Sequence, residues 1–146
     1  MKYVNQISVF VTNKTGSLAE VTKLLADAEI GLRAFSIADT SEFGILRMIV
    51  DQTEKAVDVL KAAHVTVLKT PVLAVRLEDK PGAMNRVMTV LSVNDISVEY
   101  AYAFTSHLQG SACVILRVEQ PGSVASVLEE NGLEVLGNEE LEKLYD

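Results

Sequence analysis

Two short segments hold the residues best placed for chemistry, Asn13-Lys14-Thr15-Gly16-Ser17-Leu18 and Asp79-Lys80-Pro81-Gly82-Ala83-Met84. Each leads into a stretch of helical periodicity, and the free N–H groups of a helix's first turn carry partial positive charge. Gly16 and Gly82 remove the side chain that would bar close approach to that backbone. A carboxylate can therefore be held by main-chain donors alone, while the side chains of Asn13 and Asp79 offer oxygens to an ammonium group. An anionic end beside a cationic end is the description of a free α-amino acid. The same residues also suit a plainer role, since Asn and Asp are ordinary turn and cap residues and Gly is an ordinary turn former.

No other set of residues composes a catalytic acid, base, nucleophile or metal cluster. His64 follows one helical stretch and His107 falls in a hairpin loop, so the two histidines are unrelated in position. Cys113 is single and sits in an apolar strand, where an inert buried thiol is expected rather than a disulfide or a metal ligand. The turns offer lysines but no arginine for a phosphate cradle, and the segments 46–50 and 112–118 lack the paired aromatics of an RNA-binding sheet. No catalytic residue, metal or cofactor is expected. A formal charge of −7 over 146 residues repels phosphate backbones and anionic lipid, which argues against nucleic-acid and membrane partners. Met1-Lys2-Tyr3 runs directly into a strand pattern with no long apolar segment, so the expected compartment is the cytoplasm.

The two turns recur because the chain is a duplication. Asn13 aligns with Asp79, Gly16 with Gly82 and Ile30 with Ile96 at an offset of 66 positions, which drifts to 68 by Leu60 and Leu128. In the first copy Ile7, Val9 and Val11 alternate with polar neighbours as a strand does. Leu18, Val21, Leu25 and Ala28 then recur at helical spacing. Strands follow over 30–38 and 45–50, joined by a hairpin through Thr40 to Gly44, and then a helix around Ala56 to Ala63 and a strand over 65–68. The second copy repeats this as strand 72–78, helix 83–94, strands 96–104 and 111–119, helix 121–130 and strand 133–136, with a short acidic helix or tail after Asn138. Right-handed crossovers then place both helices of a copy on one face of a four-stranded antiparallel sheet. The fold class is α+β, two ferredoxin-like βαββαβ units over residues 1–70 and 71–146, meeting at Pro71. Leu18, Val21, Leu25, Leu60, Val87, Leu91 and Leu128 are the expected buried helix positions, with Met84 beginning the second copy's stripe as Leu18 begins the first.

The turn Asp79-Lys80-Pro81-Gly82-Ala83 resembles the D-x-P-G-x turn of ACT domains, the ligand-sensing units attached to many enzymes of amino-acid metabolism. The first copy departs from it, with Asn13 for the aspartate and Thr15 for the proline. By this resemblance the chain is a free-standing ACT pair that senses a free amino acid between a turn of one unit and the second strand of another. The resemblance carries Asn13, Gly16, Ser17, Leu18, Asp79, Gly82, Ala83 and Met84 over as ligand residues. Tyr100 and Tyr102 concentrate scarce aromatic area on one strand face, where they suit either a pocket wall or a packing surface.

Units of this size are marginal alone. The sheet face bearing Phe10, Ile49, Cys113 and Ile115 reads as uncovered by its unit's own helices, which points to sheet-to-sheet or edge-to-edge packing between units or between chains, the latter as a homodimer. A competing reading makes the turns inert and the pair a structural module docked on a metabolic enzyme.

Overall fold

The structure, a computed structural model, describes residues 2–12, 14–39, 43–105 and 110–144. In chain order the elements are β1 (Val4–Thr12), α1 (Ser17–Asp27), β2 (Leu32–Asp39), β3 (Phe43–Val50), α2 (Thr53–Ala62) and β4 (Thr66–Glu78). They continue with α3 (Ala83–Val93), β5 (Tyr100–Thr105), β6 (Ser111–Arg117), α4 (Pro121–Glu130), β7 (Glu134–Leu136) and α5 (Asn138–Lys143). The chain divides into two compact units, one Asn5–Thr70 and the other Pro71–Asp146 together with Met1–Val4. Lys2 ties the N-terminal residues to the latter unit, 3.9 Å from Glu129 and 3.7 Å from Glu140.

Alternation in the strands and four-residue spacing in the helices build one core per unit. In the first, β1 pairs antiparallel with β3, Ile7 opposite Met48 and Val9 opposite Leu46. Those four side chains are buried with Val21, Leu25, Val57 and Leu60 of α1 and α2. β2 flanks β3, and β1 has β4 as its other neighbour. In the second unit β4 pairs antiparallel with both β6 and β7, and β5 flanks β6. Its order is thus β7-β4-β6-β5. Leu73, Val75, Val114 and Leu116 pack there with Val87, Leu91, Val124 and Leu128. Among the described residues, seven strands complete two βαββαβ units because β4 runs unbroken from Thr66 to Glu78, through the boundary at Pro71. The separate strands expected over 65–68 and 72–78 are one element.

The first four helices end alike. Ile30 N–H donates to the Leu25 carbonyl, Val65 to Leu60, Ile96 to Leu91 and Leu133 to Leu128. Each bond closes over a residue of positive φ, namely Glu29 (58°), His64 (62°), Asp95 (57°) and Gly132 (77°). The recurrence shows the duplication persisting in local geometry. After the same closure β2 starts at Leu32 but β5 only at Tyr100.

Three expectations change. Leu18 is 38% exposed rather than buried, since it stands in the first turn of α1, ahead of the buried Val21 and Leu25. Met84 is likewise 36% exposed beside the row of Val87 and Leu91. The second sheet face is also not uncovered, since Ile49, Cys113 and Ile115 are buried. Its polar members are satisfied: Gln6 Nε2 donates to Ser8 Oγ at 3.0 Å, and Ser8 Oγ lies 3.2 Å from Thr70 Oγ1. Residues 40–42 of the expected hairpin and His107 lie outside the described residues.

Candidate functional site

Gly16 and Gly82 both have φ of +92°, a left-handed conformation that any side chain strains. At each glycine the chain swings out of its strand and starts a helix at the next residue. A Cβ built on either would meet no atom within 4 Å, so both turns open onto free space. No side chain caps either helix through a hydrogen bond, so Asp79 is not the N-terminal cap; Ser17 and Ala83 N–H donate to the Lys14 and Lys80 carbonyls at 3.3 Å, and the next N–H groups of each first turn have no acceptor within the helix. The second turn is anchored from behind, where Asp79 N–H donates to the Gly110 carbonyl at 2.8 Å.

Each turn borders a cleft inside its own unit. That of the second unit has a volume of about 360 Å³. The end of β4 gives Arg76 and Glu78 to it, the turn gives Lys80 and Gly82, and α3 gives Ala83 and Arg86. Ser111 at the start of β6, Gly132 and Leu133 before β7, and Glu134 at its start close it. That of the first unit is larger, about 660 Å³, and lies between Phe10–Thr12, Lys14, Ser17, Glu20 and His64–Thr66. Ser17 Oγ lies 3.2 Å from Thr12 Oγ1 at its floor.

Charge is arranged in pairs around the smaller cleft. Arg76 Nε donates to Ser111 Oγ at 2.9 Å, and its Nη1 lies 3.6 Å from Glu134. Lys80 Nζ reaches Glu78 at 2.7 Å and holds that carboxyl below the usual carboxylate range, first by the hydrogen bond and then by charge. Arg86 Nη2 donates to the Asn131 carbonyl at 3.0 Å. Among the described residues no cluster of three His, Cys, Asp or Glu side chains could hold a metal ion, and no helix is long and apolar enough to cross a membrane.

The cleft linings therefore include Ser17, Gly82 and Ala83 of the sequence-derived residues, whereas Gly16, Leu18, Asp79 and Met84 stand on the same turns beside them. Asn13 lies outside the described residues. Tyr100 and Tyr102 are half-buried on β5, separated from β4 by β6, and line neither cleft. Arg76, Arg86 and Glu134 are the residues that sequence reasoning passed over. Aligning the repeats position by position is the signal that finds two of them, since Arg76 and Arg86 replace Phe10 and Glu20.

The ACT domain pair family matches residues 2–145 of the chain. Among solved structures, protein BT0572 from Bacteroides thetaiotaomicron aligns with a TM-score of 0.89 and 36% identity, over 95% of this chain and 95% of that one. The ligand-free regulatory subunit of aspartate kinase from Thermus thermophilus aligns at 0.65 and 14% identity, over 89% of this chain and 93% of that one. The corresponding regulatory subunit from Thermus flavus gives 0.61 and 13%, over 97% and 92%. At these two identities the likeness is one of fold. No curated protein matches the sequence.

Proposed function

Since the chain belongs to the ACT domain pair family, whose domains are regulatory amino-acid-binding modules, we propose that it is a non-catalytic sensor that binds a free amino acid at its strand-to-helix turns. The observation that carries this reading is the repetition of the site. Both units place a glycine at φ +92° on the rim of a cleft, with an uncapped helix start beside it. A carboxylate there meets backbone donors already fixed in direction, so little ordering accompanies binding. Asp79 serves the ammonium end, Asn13 being its counterpart in the sequence of the other copy, and Leu18 and Met84 offer apolar surface to the side chain. Calorimetric titration of the intact chain with each of the twenty protein amino acids tests the reading. One specific hit supports it, and none at all leaves the chain a docking module without a ligand.

The output of such a sensor is a change in its assembly or in a partner. Two of the neighbours are described as regulatory subunits of aspartate kinase, which favours a metabolic enzyme as the partner here. The chain also forms a homodimer in this reading. β2 is an edge strand whose Phe35 and Ile37 are 62% and 48% exposed, an arrangement suited to pairing with a second copy. The cytoplasm is the compartment in which such a pair would act.

A further inference from the structure

The two clefts occupy the same place in their repeats and have diverged in charge. Arg76 stands where the first unit has Phe10, Glu78 where it has Thr12 and Arg86 where it has Glu20. At the rear of the cleft, Gly132 stands where the first unit has His64. The second cleft thus sets Arg76, Lys80 and Arg86 against Glu78 and Glu134, a cationic excess inside a chain of formal charge −7. The first sets Lys14 and Lys23 against Glu20 and Asp27, with Lys23 held 2.7 Å from Asp27.

Arg86 lies against Gly132. Its Nη2 rests on the Asn131 carbonyl, and a Cβ on residue 132 would stand 3.2 Å from that nitrogen. A side chain there would press on the guanidinium, and the φ of +77° disfavours one in any case. The first unit carries His64 at this point and a carboxylate, Glu20, where the arginine would be. A guanidinium has five N–H donors in a planar fork, so one bond to Asn131 leaves it able to grip a carboxylate through others. Glu20 can only repel one.

We propose that the second cleft alone captures the carboxylate of the free amino acid, with Arg86 as its charged partner, so that each chain binds one amino acid rather than two. This rests on the amino-acid-sensing reading above and decides which of its two turns is competent. The test is calorimetry on the intact chain with the amino acid identified among the twenty, together with that amino acid's C-terminal amide. The expected result is one molecule bound per chain and no measurable binding of the amide. Arg86→Gln is expected to weaken binding about ten- to a hundredfold, the loss of one charged hydrogen-bonding partner. Arg86→Lys, which keeps the charge, is expected to recover part of it, and both variants are to melt as the parent does. Two molecules per chain of similar affinity, an amide that binds as well as the acid, or a folded Arg86→Gln protein of parental affinity would each overturn the inference while leaving the sensing reading intact. If no amino acid binds the parent, both fall. The stoichiometry and the amide are read on the parent protein, so a variant that fails to fold does not spare the inference.

Discussion

At the second turn, Gly82 combines a left-handed φ with an open foreground, and the two properties separate in experiment. Gly82→Val places a branched side chain in the space before the helix N-terminus and forces it into a conformation costing roughly 1–2 kcal/mol. The unit should still melt cooperatively, at lower temperature, while amino-acid binding is lost. Retained binding in the folded variant would move the site elsewhere. Asp79→Ala leaves the backbone bond to Gly110 in place and removes only the carboxylate. It should weaken binding about tenfold or more, by roughly 1.5–3 kcal/mol, without changing the melting temperature appreciably. Cys113 yields a prediction of another kind. Burial pushes its thiol from an ordinary 9.0 up to about 12, so the native chain should resist thiol reagents that modify it readily in urea. Because the folded pKa is raised, the associated stability is complete below pH 9 and is lost as pH climbs from there toward 12. Urea midpoints measured across that alkaline range check the sign.

At the scale of elements, the four repeated helix ends explain where stability is open to gain. Glu29, His64 and Asp95 hold a left-handed conformation that glycine holds at Gly132. Of the three, Glu29 lacks the short side chain that lets Asp settle there. Glu29→Gly should therefore stabilise the chain by a few tenths to about 1 kcal/mol, the relieved strain less glycine's extra freedom in the unfolded state. The Gln52 side chain would keep its bond to the residue 29 carbonyl, so no contact is lost. A lower urea midpoint for Glu29→Gly would show that the αL position is not strained. Conversely, Leu60 and Leu128 are buried centres of matching helix faces, and Leu→Ala at either should cost about 2–5 kcal/mol.

For the whole molecule, the outcome that matters most is assembly. The sheet face expected to be uncovered is buried, so the case for a dimer rests on the edge strand β2. Light scattering should report twice the chain mass of 15.9 kDa, falling to the monomer value for Phe35→Glu, which charges that edge without touching either core. A parent that stays monomeric at all concentrations would remove the homodimer and leave an enzyme partner as the route for regulation.

The duplication, the order of strands and helices and the two glycine turns were all legible in the sequence, because side-chain periods of two and of three to four residues are local properties. Ile7 and Val9 on β1, or Val21 and Leu25 on α1, announce their buried face without knowledge of what covers it. The exposure of Leu18 was not legible, since the helical period gives a residue's face but not how far along the helix that face is covered. The unbroken β4 was hidden by Pro71, which reads locally as an end of strand. Above all, the charge of the second cleft belongs to the tertiary structure. Arg76 meets Glu134 only because β4 and β7 pair antiparallel in that register. Arg86 meets the Asn131 carbonyl because the end of α4 packs beside the start of α3. Contacts between residues this far apart along the chain follow from how the elements pack, and no period within one element encodes them.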